Sequence, residues 1–398
     1  MAQIKIGVFG AWRGLAYIRM FVKEPAIELV AVCDRDEQKR ADVKKVCDCP
    51  LFEDFDSFLD YGKEQGMNAV FLANYFYQHA PYAIKCMDAG MDVISECAAA
   101  GTLRECVELC EAAERTGRKY MLAENYPFST SNLKMNGIVK DGTLGTLLYA
   151  EGEYNHSGSI DELKSLTTDL NHWRAWMPRT YYCTHAMGPL MFATDSEPCY
   201  VSARAAKSGL LREGAKDFRH NNDGTAIIFC EMSNGMIARF TGCTAMASDY
   251  SRYRIVGDIA SVETGGNIGQ NGVRLFWFKH TQPEGQPTNC YNFTADLSDF
   301  GEKGKAAKNA GHGGGDYWVM QHMIDYFVNG TDPFFDVYRS VRMAATGILA
   351  WRSCLNHGEN YRIPDFRDPA DRESVRNDTL SPFPDENGEG NTIPSELP

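Results

Sequence analysis

The sequence predicts an α/β fold: a doubly wound parallel sheet at the N-terminus, then an α+β domain with an open, mostly antiparallel sheet. Three observations predict it. Apolar runs alternate with helical patterns from Ile4 to Asn125, the rhythm of parallel strands joined by helical crossovers. The first run ends in a glycine turn, Ile4 to Gly14 (IKIGVFGAWRG), and the second, Glu28 to Cys33, ends on Asp34. After residue 125 strand-like runs follow one another with few helices between them.

The glycine turn and Asp34 have the layout of a dinucleotide-binding βαβ unit of Rossmann type. Gly10 and Gly14 let the backbone approach a pyrophosphate at a helix N-terminus, and Asp34 takes the ribose hydroxyls. An acid at that position repels a 2′-phosphate, so NAD is expected rather than NADP, although Arg35 follows directly. Asp34 serves alternatively as the N-cap of a helix starting near Gln38. The turn is one residue shorter than Gly-x-Gly-x-x-Gly, and Trp12 stands where a middle glycine belongs. Arg13 offers a cation near the pyrophosphate in compensation. The other readings of the altered turn are a shifted cofactor pose and a fold kept only as a scaffold.

The remaining elements follow in order. A helix is expected over 14–23, a charged helix over 35–48, a short strand and turn at 51–55 and a helix over 55–64. Strands at 68–73, 92–95 and 119–123 end at Asn74, Glu96 and Asn125, on the carboxyl edge where such sheets bind ligands. Helices are expected from about His79 and over 103–116. Beyond a helix at 129–139, strands are read at 146–154, 198–206, 225–232, 236–243, 251–256 and 273–278, with Ser233-Asn-Gly235 as a hairpin turn. Helical patterns return at 316–329 and 335–351. The expected domains are 1–125, 126–370 and a surface or disordered arm at 371–398, rich in Pro, Gly, Asn and Glu near its end.

Composition narrows the function. At 398 residues the chain suits two or three domains of about 150 residues. A net charge of -13 argues against binding a phosphate backbone. The thirteen cysteines are odd in number and scattered. They fit reduced thiols, and the close pairs Cys47-Asp-Cys49 and Cys106 with Cys110 lack the second cluster of a zinc site, so no metal is expected. No signal-peptide pattern and no apolar run of about 18 residues is present, which predicts a cytoplasmic protein with no membrane partner. An open sheet face predicts a homo-oligomer.

The order of parts resembles the glucose-fructose oxidoreductase / inositol dehydrogenase / rhizopine-catabolism (Gfo/Idh/MocA) family over roughly residues 3–366. In the first domain the resemblance rests on the segments from Asn74 through His79 to Ser95-Glu96, and on Glu124-Asn125. Dehydrogenases of that family carry Glu-Lys-Pro after the fifth strand, where this chain has Glu96-Cys97-Ala98. The lysine that polarises the hydroxyl being oxidised is therefore missing. Four stretches resemble a branch that also lacks it, the NAD-dependent glycoside hydrolases of the α-N-acetylgalactosaminidase type. They are Glu96 to Cys106 leading to Asn125, Tyr182-Cys-Thr-His-Ala-Met-Gly-Pro189, Gly311-His-Gly-Gly-Gly-Asp316, and Pro333-Phe-Phe-Asp-Val-Tyr338 followed by Ile363-Pro-Asp-Phe366.

The resemblance implies transient oxidation of a sugar ring carbon, elimination of the anomeric group, water addition and re-reduction. Tyr182 and His185 are the expected proton-transfer pair. Each has a plainer role to set beside this one, a half-buried aromatic and a structural histidine, and Tyr181 is the rival in register. Glu96 is placed at the nicotinamide ribose or as a helix-capping carboxylate. Asn74, His79 and Asn125 are expected to line the cofactor cleft. Trp173 and Arg174 close over the cofactor, contact substrate, or form an interdomain packing cluster. Tyr126, His312 and Tyr338 are the expected substrate contacts, against packing roles for the last two, and Asp316 is read as a helix cap. The alternatives to glycoside cleavage are an NAD-dependent sugar dehydrogenase with net oxidation and a non-catalytic sugar sensor on the same fold.

Overall fold

The computed structural model describes residues 3–157, 161, 164, 172–208, 220–242, 244–246, 249–266, 269, 271–384 and 391–398. Two compact units divide the chain. The first comprises Met1–Glu124, Asp316–Ala344 and Phe366–Thr379, and the second Asn125–Gly315, Ala345–Asp365 and Leu380–Pro398.

In the first unit the strands are β1 (Ile4–Phe9), β2 (Ile27–Cys33), β3 (Leu51–Phe52), β4 (Ala69–Leu72), β5 (Asp92–Ser95) and β6 (Tyr120–Leu122). They alternate with α1 (Ala11–Phe21), α2 (Glu37–Lys44), α3 (Phe55–Glu64), α4 (His79–Asp88) and α5 (Leu103–Thr116). All pair in parallel in the order β3-β2-β1-β4-β5-β6. The order reverses between β1 and β4, so the two turns that follow these strands flank the switch point where such sheets bind ligands. Strands covered on both faces must be apolar throughout, and Ile6, Val8, Val70 and Phe71 are fully buried.

Polar residues fix where the helices begin. Asp36 accepts from the N–H groups of Gln38 and Lys39 and caps α2, the task that Asp34 had been one candidate for. Asp54 caps α3. Thr102 and Glu105 form a reciprocal capping box on α5.

Segments distant in sequence complete this unit, which differs from the expected boundaries. The N–H of Leu122 donates to the carbonyl of Phe335. The helix Pro369–Val375 is tied to α5 by Arg372, which donates twice to Glu114, with Arg376 beyond it donating twice to Glu111. The segments 316–344 and 366–379 therefore belong with the N-terminal sheet, a long-range pairing that local sequence patterns do not carry.

The second unit is built on β7 (Leu147–Ser157), β8 (Pro198–Lys207), β9 (Asp223–Met232), β10 (Ile237–Thr241), β11 (Thr244–Met246), β12 (Tyr250–Gly257), β13 (Ala260–Gly265), β14 (Gly272–Trp277), β15 (Cys290–Thr294) and β16 (Tyr361–Arg362). The order is β15-β14-β13-β12-β7-β10-β9-β8-β16, with β11 on β7. Only β10 and β11 run parallel to β7; the other described pairings are antiparallel. Position 243, the expected end of one strand, lies outside the described residues.

One face of this sheet carries a ladder of charge. Glu263 accepts from Arg252, Arg254 and Arg274, and Glu151 and Glu153 share Arg239. By strand register Phe229 and Ile237 stand on the same face, and both are more than half exposed.

The C-terminal stretch packs where a surface or disordered arm was expected. Phe383 is buried, the indole N–H of Trp351 donates to the carbonyl of Pro394, and Asn222 exchanges hydrogen bonds with Leu397. Residues 385–390 of the expected arm lie outside the described set.

Candidate active site

In the first unit the glycine turn is closed by a close backbone approach at Gly10. The backbone of Gly10 has φ +97°, and a Cβ there would lie 2.3 Å from the carbonyl oxygen of Ala73. Only glycine allows that approach of the turn to the end of β4. Helix α1 starts at the next residue with no side-chain cap, and nothing among the described residues accepts from the N–H groups of Trp12 and Arg13. Gly14 lets the helix settle on Val8. Trp12 is 53% exposed, so its side chain points outward. Free N–H groups at the positive end of a helix fit a pyrophosphate.

Asp34 bridges the turn and the second strand. One carboxylate oxygen accepts from the N–H of Ala11 at 2.6 Å and the other from the N–H of Asp36 at 2.9 Å. Each oxygen keeps accepting capacity for a ribose hydroxyl. The Arg35 guanidinium lies 5.0 Å from the Tyr75 ring centre, so this cation is engaged on an aromatic face.

Arg13 is occupied in a way the sequence did not reveal. Its Nε lies 2.8 Å from Glu96, and its two terminal nitrogens donate to Asp316 at 2.7 and 3.1 Å. The guanidinium also covers the ring of Tyr17, at 4.9 Å. Burial alone would pull the pKa of Arg13 down; Glu96, then Tyr17 and Asp316, more than offset this and raise it. Asp316, 1% exposed at the side chain, is thus an ion-pair partner as well as a first-turn acid of its helix. The network holds the cofactor turn to the carboxyl end of β5.

His79 is buried between two carbonyls. Its Nδ1 lies 2.9 Å from the oxygen of Ala98 and its Nε2 3.2 Å from that of Asn74. Burial pushes its pKa down to about 4, against the pull of those carbonyls. The ring is neutral at pH 7 and donates through one nitrogen only. It pins the loop after Glu96 to the end of β4, while the Asn74 Oδ1 is buried without a partner among the described residues. Because the folded pKa lies below the unfolded value, the associated stability is present above about pH 6.5 and is lost as pH falls toward 4, by up to about 3 kcal/mol. His79→Gln removes this titration. The stability gap between wild type and variant is expected to narrow from pH 7 to pH 4.5 in urea unfolding, and a gap constant with pH would refute it.

At the missing-lysine position the Cys97 thiol donates to the carboxylate of Glu124, which is fully buried.

The second unit gathers the residues expected for catalysis and substrate. Residues Arg179–Tyr182 form a short 3-10 turn, and the helix Thr184–Thr194 follows. Gly152 of β7 lets this helix press on the sheet; a Cβ there would lie 1.9 Å from the carbonyl oxygen of Ala186. The hydroxyl of Tyr253 donates to the carbonyl of His185 at 2.7 Å. His185 is thereby held with its ring stacked on Tyr126 at 4.4 Å and edge-on to Tyr182 at 5.2 Å and to Tyr154 at 4.9 Å. Arg174 lies over Trp173 at 4.3 Å and over Tyr182 at 5.5 Å. His312 approaches Tyr126 at 5.9 Å. The guanidinium is attracted to the face of the Tyr182 ring.

The six sequence candidates Tyr126, Trp173, Arg174, Tyr182, His185 and His312 thus form one cluster. Tyr154 belongs to it and was missed; its alternation within β7 was visible, but which face it served was not. Tyr181, the rival to Tyr182, is buried and packs on Phe383. The glycines after His312 meet the chain itself, since a Cβ on Gly315 would lie 2.4 Å from the carbonyl oxygen of Asn125. Asn125 lies in the second unit at that contact and is buried. Tyr338 is not in the cluster: in the first unit its hydroxyl donates to Glu114 at 2.6 Å.

Comparison with known proteins agrees with both halves. The family model described as "Oxidoreductase family, NAD-binding Rossmann fold" (GFO_IDH_MocA) matches residues 4–124, and the model "Glycosyl hydrolase 109, C-terminal domain" matches residues 290–370. The match to the Gfo/Idh/MocA oxidoreductase model spans the N-terminal part of the chain, which is an NAD-dependent enzyme. Toward its C-terminus it is similar to the glycoside hydrolases of family 109. It is 26% identical to the alpha-N-acetylgalactosaminidase of Shewanella oneidensis, over 92% of this chain and 85% of that protein. A family 109 protein of Shewanella sp. (strain ANA-3) is 26% identical over the same shares. In fold it is similar to levoglucosan dehydrogenase in complex with NADH and L-sorbose (TM-score 0.78, 15% identity, 92% of this chain and all of that one). It is equally similar to an oxidoreductase domain protein from Kribbella flavida (TM-score 0.77, 19% identity, the same coverage).

Proposed function

We propose that this enzyme acts on glycosides and cleaves the glycosidic bond by a redox-neutral route. The observation that carries the reading is the packing of His185 against Tyr126, Tyr154 and Tyr182, with Arg174 over Tyr182. It joins two proton-transfer groups to aromatic faces and a cation, the chemistry needed to bind a sugar and move its protons. The relatives named for glycoside hydrolysis support the same substrate class.

Bound NAD+ supplies the two-electron acceptor for the ring carbon, C3 in this reading, and returns the electrons after cleavage. Trp12 and Arg13 would hold its pyrophosphate through their backbone N–H groups, and Asp34 would accept from the adenosine ribose. One member of the Tyr182–His185 pair takes the proton of the hydroxyl being oxidised. The other removes the proton from the carbon beside the new ketone, which the ketone acidifies. The bond to the anomeric carbon then breaks, and the leaving group is protonated. Water adds to the resulting double bond, and the proton transfers run in reverse. With Cys97 where dehydrogenases of the superfamily carry lysine, proton handling passes to these two side chains.

Net oxidation and redox-neutral cleavage differ in what happens to NAD. With about one NAD+ per enzyme and a panel of aryl glycosides that includes N-acetylhexosaminides, many aglycone molecules are expected per NAD+, without accumulating NADH. In heavy water deuterium is expected at the sugar carbon beside the oxidised one. One NADH per product molecule would sink the proposal in favour of a dehydrogenase, and release of nothing across the panel would favour a sensor.

A further inference from the structure

Cys47, Asp48 and Cys49 lie between α2 and β3. The two sulfurs are 3.7 Å apart, in van der Waals contact, and both side chains are half-buried, so a small molecule reaches them. Other thiols of the first unit, such as Cys33, Cys86 and Cys106, are fully buried. The segment is anchored at both ends. The N–H of Cys47 donates to the carbonyl of Val43, closing α2. The carbonyl of Pro50 accepts from Val32, and that of Phe52 accepts from the N–H of Asp34. Any tightening of the Cys47–Cys49 link is therefore passed by backbone hydrogen bonds to the strand end that carries Asp34.

We propose that Cys47 and Cys49 form a redox modification site, oxidised by a low-molecular-weight disulfide to an intrachain disulfide that weakens NAD+ binding. Burial, with Cys47 adding to it, pushes the Cys49 thiol up to about 12. The exchange is written with Cys47 as the attacking sulfur. Its thiolate displaces one small thiol and forms a mixed disulfide. Cys49 then attacks the Cys47 sulfur and displaces the second small thiol. Two electrons pass from the pair to the small disulfide, and the two protons end on the released thiols. The effect on cofactor rests on the reading of Asp34 as the ribose acceptor.

The test is titration of the whole protein with glutathione disulfide. Mass spectrometry is expected to show a loss of about 2 Da confined to the peptide holding residues 47–49, reversed by dithiothreitol. Cys49→Ser should stop at the mixed disulfide, with glutathione retained on Cys47. Isothermal titration of NAD+ should give a Kd at least about threefold weaker for the oxidised wild type and an unchanged one for Cys49→Ser before oxidation. If both thiols remain open to alkylation at every glutathione ratio, or the new disulfide maps elsewhere, the site is refuted. A disulfide that leaves the Kd for NAD+ unaltered refutes the coupling to Asp34. Since NAD+ binding is read without a glycoside, these outcomes are distinct from a failure of the cleavage chemistry.

Discussion

Replacing His185 by alanine is expected to lower kcat for glycoside cleavage by about 100- to 10,000-fold, the range for loss of a positioned acid–base group. Tyr182→Phe, which keeps the ring under Arg174 and removes only the hydroxyl, should lose about 100-fold. If the two side chains act as one proton-transfer unit, the double variant will be scarcely worse than His185→Ala alone. The split between kinetic constants separates chemistry from packing. His185 is 7% exposed, stacked on Tyr126 and hydrogen-bonded through its backbone to Tyr253. His185→Gln keeps more of the volume, so a loss in kcat with a near-native melting temperature marks a chemical role. Full turnover by both single variants on a cleaved glycoside would overturn the assignment. Tyr182 ends a 3-10 turn and His185 lies in the first turn of the buried helix that follows, so the reacting groups rest on ordered elements.

The second large effect is expected at Arg13. The residue stands in the cofactor turn yet is committed to Glu96 and Asp316. Arg13→Met leaves both carboxylates without their guanidinium, and Asp316 has almost no access to water. Removing one partner of such a buried pair costs about 3 kcal/mol or more. NAD+ affinity should fall as well, because two uncompensated negative charges would stand near the residues proposed to hold its phosphates. Arg13→Lys should recover only part of each loss. An ammonium is a point charge and cannot donate a two-pronged bond to Asp316 while reaching Glu96. Adding Asp316→Asn to Arg13→Met should restore much of the stability. Urea unfolding with NAD+ titration measures both effects. Native stability in Arg13→Met would show that the ion pairs contribute nothing, as exposed pairs often do.

The altered glycine motif takes on a definite meaning in this light. One residue is missing from the turn, and Trp12 points outward without filling the space that a middle glycine leaves open. The turn is closed by Gly10 against β4, and Arg13 anchors it to the end of β5. The cation that the sequence offered to the pyrophosphate is paired with protein carboxylates, so in the proposed binding mode the phosphates would rest on backbone N–H groups.

Much of the first unit could be read directly. Strands buried on both faces are continuous apolar runs, and helices packed on one side are amphipathic. Helices 55–64 and 103–116 and strand 92–95 fall where periodicity put them. The second sheet was less legible. The strands Ala260–Gly265 and Cys290–Thr294 were missed because short polar segments become strands only when a neighbour supplies the hydrogen bonds.

The sequence by itself determined the order of parallel and antiparallel regions, the acid after β2, the absence of a lysine after Glu96, and Tyr182 and His185 on one short segment. These are local features, set by residue type and spacing. Only the tertiary structure decided that Arg13 pairs with Asp316 some three hundred residues away, that Tyr154 joins the histidine cluster, that Tyr338 belongs with Glu114, and that the C-terminal stretch packs. Each is a contact between segments distant in the chain. Neither partner's local pattern records the other, and the pairing exists only once burial makes an unpaired charge, hydroxyl or ring costly.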